Sequence, residues 1–221
     1  IVGDLQASEG TISVDGQLGV MHQLVGTADH PARTVRELLV SIAPQRLRDA
    51  ATRLHDGEAH LVDDPMEYAT ALAAWGDAGG YDLEVTWNEC VTRALGESFD
   101  DVADRPLDTF SGGEQKRLAL EALMRSEFDV LVLDEPDNFL DIPAKRWLER
   151  RLAETPKTVL LVSHDRELLA AAADAVITVG RLVGGELARH IRRDDVHVLY
   201  NSPPLDDCPR SIRRDLRLDA Q

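Results

Sequence analysis

Lysine is nearly absent from this sequence. Lys116, Lys145 and Lys157 are the three it has, and none follows a glycine. That rules out a G-x-x-x-x-G-K-[ST] loop within the chain, the element whose backbone N–H groups and lysine cradle a nucleotide's phosphates. Cysteine is as scarce. Cys90 and Cys208 lie far apart without metal-ligand spacing, which argues against a cysteine-built metal site and suits a reducing, cytoplasmic setting. Positive charge is short overall. With 24 Lys plus Arg against 40 Asp plus Glu, the net charge is -16, which disfavours unaided electrostatic binding to nucleic acid or anionic lipid. No apolar run reaches the ~20 residues of a bilayer span, and the first residues lack a signal-peptide pattern. Direct membrane insertion is therefore not expected. What is present is 221 residues with a hydrophobic fraction of 43%, enough for one large domain or a core with an insertion.

The charge is unevenly placed. Residues 181–221 hold eight arginines, no lysine and seven acids, so the excess of acid sits in the preceding 180 residues. That last stretch also carries "NSPPLDDCPR" and has no sustained apolar period. It reads as a tail of a different kind, expected to stay outside the packed core.

Along the chain, "TISV" (11–14) and "LGVM" (18–21) around Asp15-Gly16 read as a hairpin, and Gly3 is placed like the glycine after a helix end. Thr34 and Glu37 have capping-box spacing at the start of a helix that runs to Ile42. Residues 44–96 are helical in pattern. Leu47, Ala50, Ala51 and Leu54 share one face, and Leu83, Thr86, Trp87, Cys90, Val91 and Ala94 share another. Asp64-Pro65 supplies an N-cap and an N1 proline, and Gly79-Gly80 separates two helices. Then strands alternate with helices. "DVLVL" (129–133), "TVLLVS" (158–163) and "AVITV" (175–179) are apolar runs that suit parallel strands buried on both faces. Helices over 144–154 and 166–173 lie between them, which predicts an α/β fold with a parallel-sheet core.

Three places carry candidate chemistry. Asp134-Glu135 closes the run "LVLDEP", at the strand end where ligands of parallel sheets bind. One carboxylate could hold Mg²⁺ through water and the other orient an attacking water; alternatively these are solvated acids ending a strand. "SGGEQKRLALEALMR" (111–125) is a helix opened by Gly112-Gly113, which would let backbone N–H groups approach an anion; Ser111 and Glu114 also fit a plain capping box. His164 in "VSHDRELL" follows another strand and could reach a phosphate or water, or simply precede a helix capped by Asp165. Gln23 follows "LGVM" as a possible polar lining residue.

Together and in this order, the elements resemble the ATP-binding cassette (ABC) ATPases over residues 1 to about 179. "SGGEQKR" resembles their signature motif, "LVLDEP" their Walker B strand, "NFLD" the D-loop, "SHD" the switch-histidine loop and "GVMHQ" the glutamine loop. "SGGEQKR", "DEPDNFLD" and "VSHDRELL" most resemble ABC-F proteins, tandem ATPases that act on ribosomes, many of which confer antibiotic resistance. The resemblance implies ATP and Mg²⁺ as cofactors and a second nucleotide-binding domain as partner, with the ribosome as a further one. It implies Asp134 on the Mg²⁺ side, Glu135 as catalytic base, His164 at the γ-phosphate, and Gln23 near Mg²⁺ and the attacking water. Ser111, Gly112, Gly113 and Glu114 would meet a nucleotide held by the opposite domain, and Asp141 would sit at the interface between the two.

The expected organisation is an ATPase-core portion over 1–43, a helical subdomain or arm-like insertion over 44–110, the signature helix and remaining core over 111–179, and the atypical tail over 180–221. Lacking a phosphate loop, the chain is expected to be a piece of a longer ABC-F protein. Two other readings stay open: a non-catalytic fragment completing a partner's nucleotide site, and the ATPase subunit of an ABC transporter.

Overall fold

A computed structural model describes residues 13–23, 25–27, 32–172, 176–179 and 196–199. Gly3, with its expected helix end, lies outside them.

Strand β1 (Leu18–Met21), β2 (Val130–Asp134) and β3 (Thr158–Val162) form a parallel sheet in the order β1-β2-β3. Of the expected hairpin, Thr11 and Ile12 lie outside the described residues. Ser13 and Val14 are not strand, and "LGVM" pairs instead with β2, Met21 opposite Leu133. The Asp15-Gly16 bend serves that long-range pairing: Gly16 has φ 103, and the Asp129 carboxylate accepts from the Gln17 N–H at 2.8 Å.

Between β1 and β2 the chain is helical: α1 (Val35–Ser41), α2 (Gln45–Ala59), α3 (Pro65–Asp77), α4 (Gly80–Leu95), a short α5 (Phe99–Val102) and α6 (Gly112–Arg125). The caps follow from sequence. The Thr34 hydroxyl accepts from the Glu37 N–H, but Glu37 reaches back to the Arg33 N–H rather than to Thr34, so only half the capping box forms. Asp64 caps α3 through the Met66 and Glu67 N–H groups. Gly79 takes the left-handed φ 81 that separates α3 from α4. Helix α7 (Ile142–Glu154) crosses over from β2 to β3, and α8 (Arg166–Ala172) follows.

One apolar cluster joins the sheet to the helical stretch, running from Met21, Leu131 and Leu133 through Leu118, Leu120 and Leu123 of α6 to Trp75, Trp87 and Phe99. The Trp75 and Trp87 ring centroids lie 6.2 Å apart and those of Trp87 and Phe99 5.5 Å. Strand β2 is buried along its middle, as its composition predicts. Strand β3 is not. Val159 and Leu161 pack on the core, while Leu160 is 38% and Val162 49% exposed. It is an edge strand among the described residues, with helices over one face alone, and alternation of exposure is the result.

Strand β4 (Val176–Val179) forms a separate parallel pair with β5 (Val196–Leu199). The four β5 residues lie in the 180–221 tail expected to stay outside the packed core, and they pair with β4 and not with the β1-β2-β3 sheet. The rest of 180–221 lies outside the described residues. Among the described residues, no helix is long and apolar enough to cross a membrane.

Candidate functional site

Asp134 is the last residue of β2, and the Glu135 N–H continues the ladder to the Val162 carbonyl at 2.8 Å. The chain then turns sharply. Glu135 has φ 48 and Phe139 φ 68, left-handed backbone that costs a side-chain-bearing residue ~1–3 kcal/mol. From this turn the Glu135 carboxylate meets His164 Nδ1 at 2.6 Å. The two are thus brought together from neighbouring strand ends; the imidazole is largely exposed and the carboxylate largely covered.

Behind that contact lies a network that sequence reasoning missed. Asp137 is 2% exposed. One of its oxygens accepts from the Ser163 hydroxyl at 2.7 Å, and the other lies 3.5 Å from Lys145 Nζ. Lys145, on α7, also donates to Asp165 at 2.7 Å, and Asp165 caps α8 through the Glu167 and Leu168 N–H groups. The bond between them holds the Asp165 carboxyl below its usual range and raises Lys145. Lys145 therefore fastens residues beside Glu135 to residues on both sides of His164.

Helix α6 begins with a complete capping box: the Ser111 hydroxyl accepts from the Glu114 N–H, and Glu114 accepts from the Ser111 N–H. The Ser111 hydroxyl also donates to Glu114, keeping its carboxyl below the usual range. Gly112 and Gly113 have a packing reason too. A Cβ on Gly112 would collide with the Gly26 carbonyl oxygen, and one on Gly113 would lie 2.6 Å from the Phe139 carbonyl oxygen. Both obstacles are backbone and cannot swing aside. Gly112→Ala and Gly113→Ala should each destabilise the chain by ~1–3 kcal/mol, more than the ~1 kcal/mol by which alanine ordinarily improves on glycine in a helix. Urea unfolding without nucleotide checks this. An unchanged or raised midpoint would mean the glycines answer to a ligand and not to packing.

The other expected residues are placed separately. Ser111, Gly113, Glu114 and Asp141 line one cleft with Phe139 and Leu140. Asp141 caps α7 through the Ala144 N–H at 2.8 Å. Gln23 is exposed beyond the end of β1, with no hydrogen bond of its side chain to Glu135 or His164.

The donors suit a hard cation in part. The donor atoms of Glu135, Asp137 and His164 lie within 4.8 Å of one another, but each is engaged by the partners named above. Asp134 is half-buried, and its carboxylate has no hydrogen bond among the described residues. Its oxygens could therefore meet a hard cation without breaking a bond. No phosphate-cradling loop occurs in the sequence.

Carboxylates and an imidazole gather at the carboxyl ends of parallel strands, the edge at which α/β sheets bind their ligands. The profile of the ABC transporter family matches residues 1–138, over half of the chain. The antibiotic resistance protein of Mycobacteroides abscessus is 48% identical over 184 residues, 81% of this chain and 33% of that protein. The tylosin resistance ATP-binding protein of Streptomyces fradiae is 33% identical over 195 residues, covering 83% and 34%. ABC transporter F family member 5 of Arabidopsis thaliana is 46% identical over 123 residues, covering 55% and 17%. The chain belongs to the ATP-binding cassette family, in its ABC-F branch. It spans about a third of the length of the first two of these relatives.

Proposed function

We propose that this chain is part of an ABC-F ATPase that binds ATP with Mg²⁺ and hydrolyses it to drive an action on the ribosome, with antibiotic resistance as the outcome. The observation that carries the reading is the 2.6 Å contact between Glu135 and His164 at the strand ends next to Asp134. Glu135 takes the proton of the attacking water, and His164 orients Glu135 and meets the γ-phosphate. Asp134, with Gln23, holds Mg²⁺, which when bound supplies charge neutralisation for the phosphates. Ser111, Gly112, Gly113 and Glu114 face a nucleotide seated on a second nucleotide-binding domain, and Asp141 lies at that interface. The supports are the family and the resistance proteins among the relatives. The setting is cytoplasmic.

Because these 221 residues contain no phosphate loop, the test uses a chimera. The chain replaces the matching third of the tylosin resistance ATP-binding protein. The chimera should hydrolyse MgATP within about tenfold of that parent and retain tylosin resistance, while the chain alone should bind MgATP weakly and turn it over at background. A chimera that binds MgATP and does not hydrolyse it would instead favour a non-catalytic fragment that completes a partner's site.

A further inference from the structure

Lys116 has no exposed surface. Its Nζ donates to the Glu135 carbonyl at 2.8 Å and lies 5.6 Å from the centre of the Phe139 ring. Burying an ammonium is costly unless it is partnered. Burial pushes Lys116 below the usual lysine range, with the carboxylates of Asp137, Glu135 and Asp134 opposing that shift. A methionine would fill similar space in α6 without that cost, so the charge needs a reason. Its one hydrogen bond goes to the residue whose backbone is strained. Glu135 at φ 48 persists only if its surroundings over-determine it. Its N–H is held by Val162 and its carboxylate by His164. Its carbonyl is held by the Asn138 N–H at 3.3 Å and, more closely, by Lys116.

We infer that Lys116 is a positioning residue: its ammonium holds the Glu135 carbonyl, fixes the left-handed backbone there, and so aims the Glu135 carboxylate at His164. The consequence for function rests on the reading of Glu135 as the base. Lys116 also lies in the second turn of the helix whose start carries Ser111, Gly112 and Gly113. A displacement of that helix start by a bound nucleotide would therefore pull directly on Glu135, which sits at the other nucleotide site of the same domain.

The scarcity of lysine makes the test direct, since only three side-chain ammonium signals are possible in the ¹⁵N spectrum of the 221-residue chain. One of them should exchange slowly with water and vanish in Lys116→Met. In that variant the Glu135 carbonyl ¹³C signal should shift, and the His164 ring signals should move toward their positions in Glu135→Gln. Leu118→Ala, a change at a buried position of the same helix, should lower stability and leave those signals in place. Identical His164 and Glu135 signals in Lys116→Met and Leu118→Ala would overturn the inference. If Lys116→Met does not fold, the unaltered chain decides: a Lys116 ammonium exchanging as fast as free lysine in the same buffer would overturn it equally. These readouts need no nucleotide. A chimera without ATP turnover would sink the functional reading while leaving the hold of Lys116 on Glu135 measurable.

Discussion

Glu135→Gln should slow MgATP turnover by the chimera about 10²–10⁴-fold, the span that removal of a general base ordinarily costs. Affinity for MgATP should change little. Glutamine keeps the shape of the side chain and a polar end for His164. The anchor from Lys116 falls on the backbone carbonyl, so the turn at 135–140 should survive the substitution. What is lost is the proton acceptor 2.6 Å from the imidazole. Removing an interaction made only in the transition state lowers kcat and kcat/KM together, and that pattern separates this variant from one that merely loosens the site. Single-turnover measurements exclude product release as the slow step. Turnover within tenfold of the unaltered chimera would remove Glu135 from the role of base and shift attention to His164.

Much of this arrangement is legible in the amino-acid sequence, and the reason is locality. The caps at Thr34, Asp64 and Ser111, and the break at Gly79, depend on residues within a few positions of one another, so spacing alone reveals them. The run from Leu131 to Asp134 reads as a strand end because burial and carboxylate sit side by side. Partnership is not local. "TISV-DG-QLGVM" carries hairpin chemistry, yet β1 pairs with a strand more than a hundred residues away. "TVLLVS" is as apolar as a strand covered on both faces, yet composition does not say which neighbour covers it, and Leu160 and Val162 are exposed. The same limit hides Lys116, Lys145 and Asp137. In sequence they are two ordinary helix lysines and one acid in a turn. Their roles exist only because the fold brings Glu135, Ser163 and Asp165 against them. Gly112 and Gly113 suggest in sequence what a ligand needs, while the fold adds what the Gly26 and Phe139 backbones need.

Lys145→Met should destabilise the chain strongly, and adding Asp137→Asn should return much of the loss. Asp137 is 2% exposed, so deleting its cation leaves an acid with the Ser163 hydroxyl as its remaining side-chain partner. Breaking one side of a buried ion pair costs ~3–5 kcal/mol. The lower end applies here or somewhat less, because the Lys145 side chain is 36% exposed and water screens its charge. Asparagine keeps an acceptor for Ser163 and removes the charge, which is why the second substitution should compensate. The pH dependence identifies the pair further. Asp165 is held below its ordinary value of 3.8, chiefly by its bond from Lys145. Its contribution is therefore present above that value and is lost as pH falls through the folded-state pKa. Lys145 is raised above its ordinary 10.5 by the same bond. Its contribution is full below 10.5 and is lost as pH rises through the folded-state pKa. The stability gap between the unaltered chain and Lys145→Met should thus be level between about pH 5 and pH 9 and narrow toward both extremes. Urea midpoints measured within that window and at pH values below and above it give the answer. A gap that does not vary with pH, or a double variant no more stable than Lys145→Met, would show that Lys145 acts by packing and not as the charge that clasps the Glu135 turn to the His164 loop.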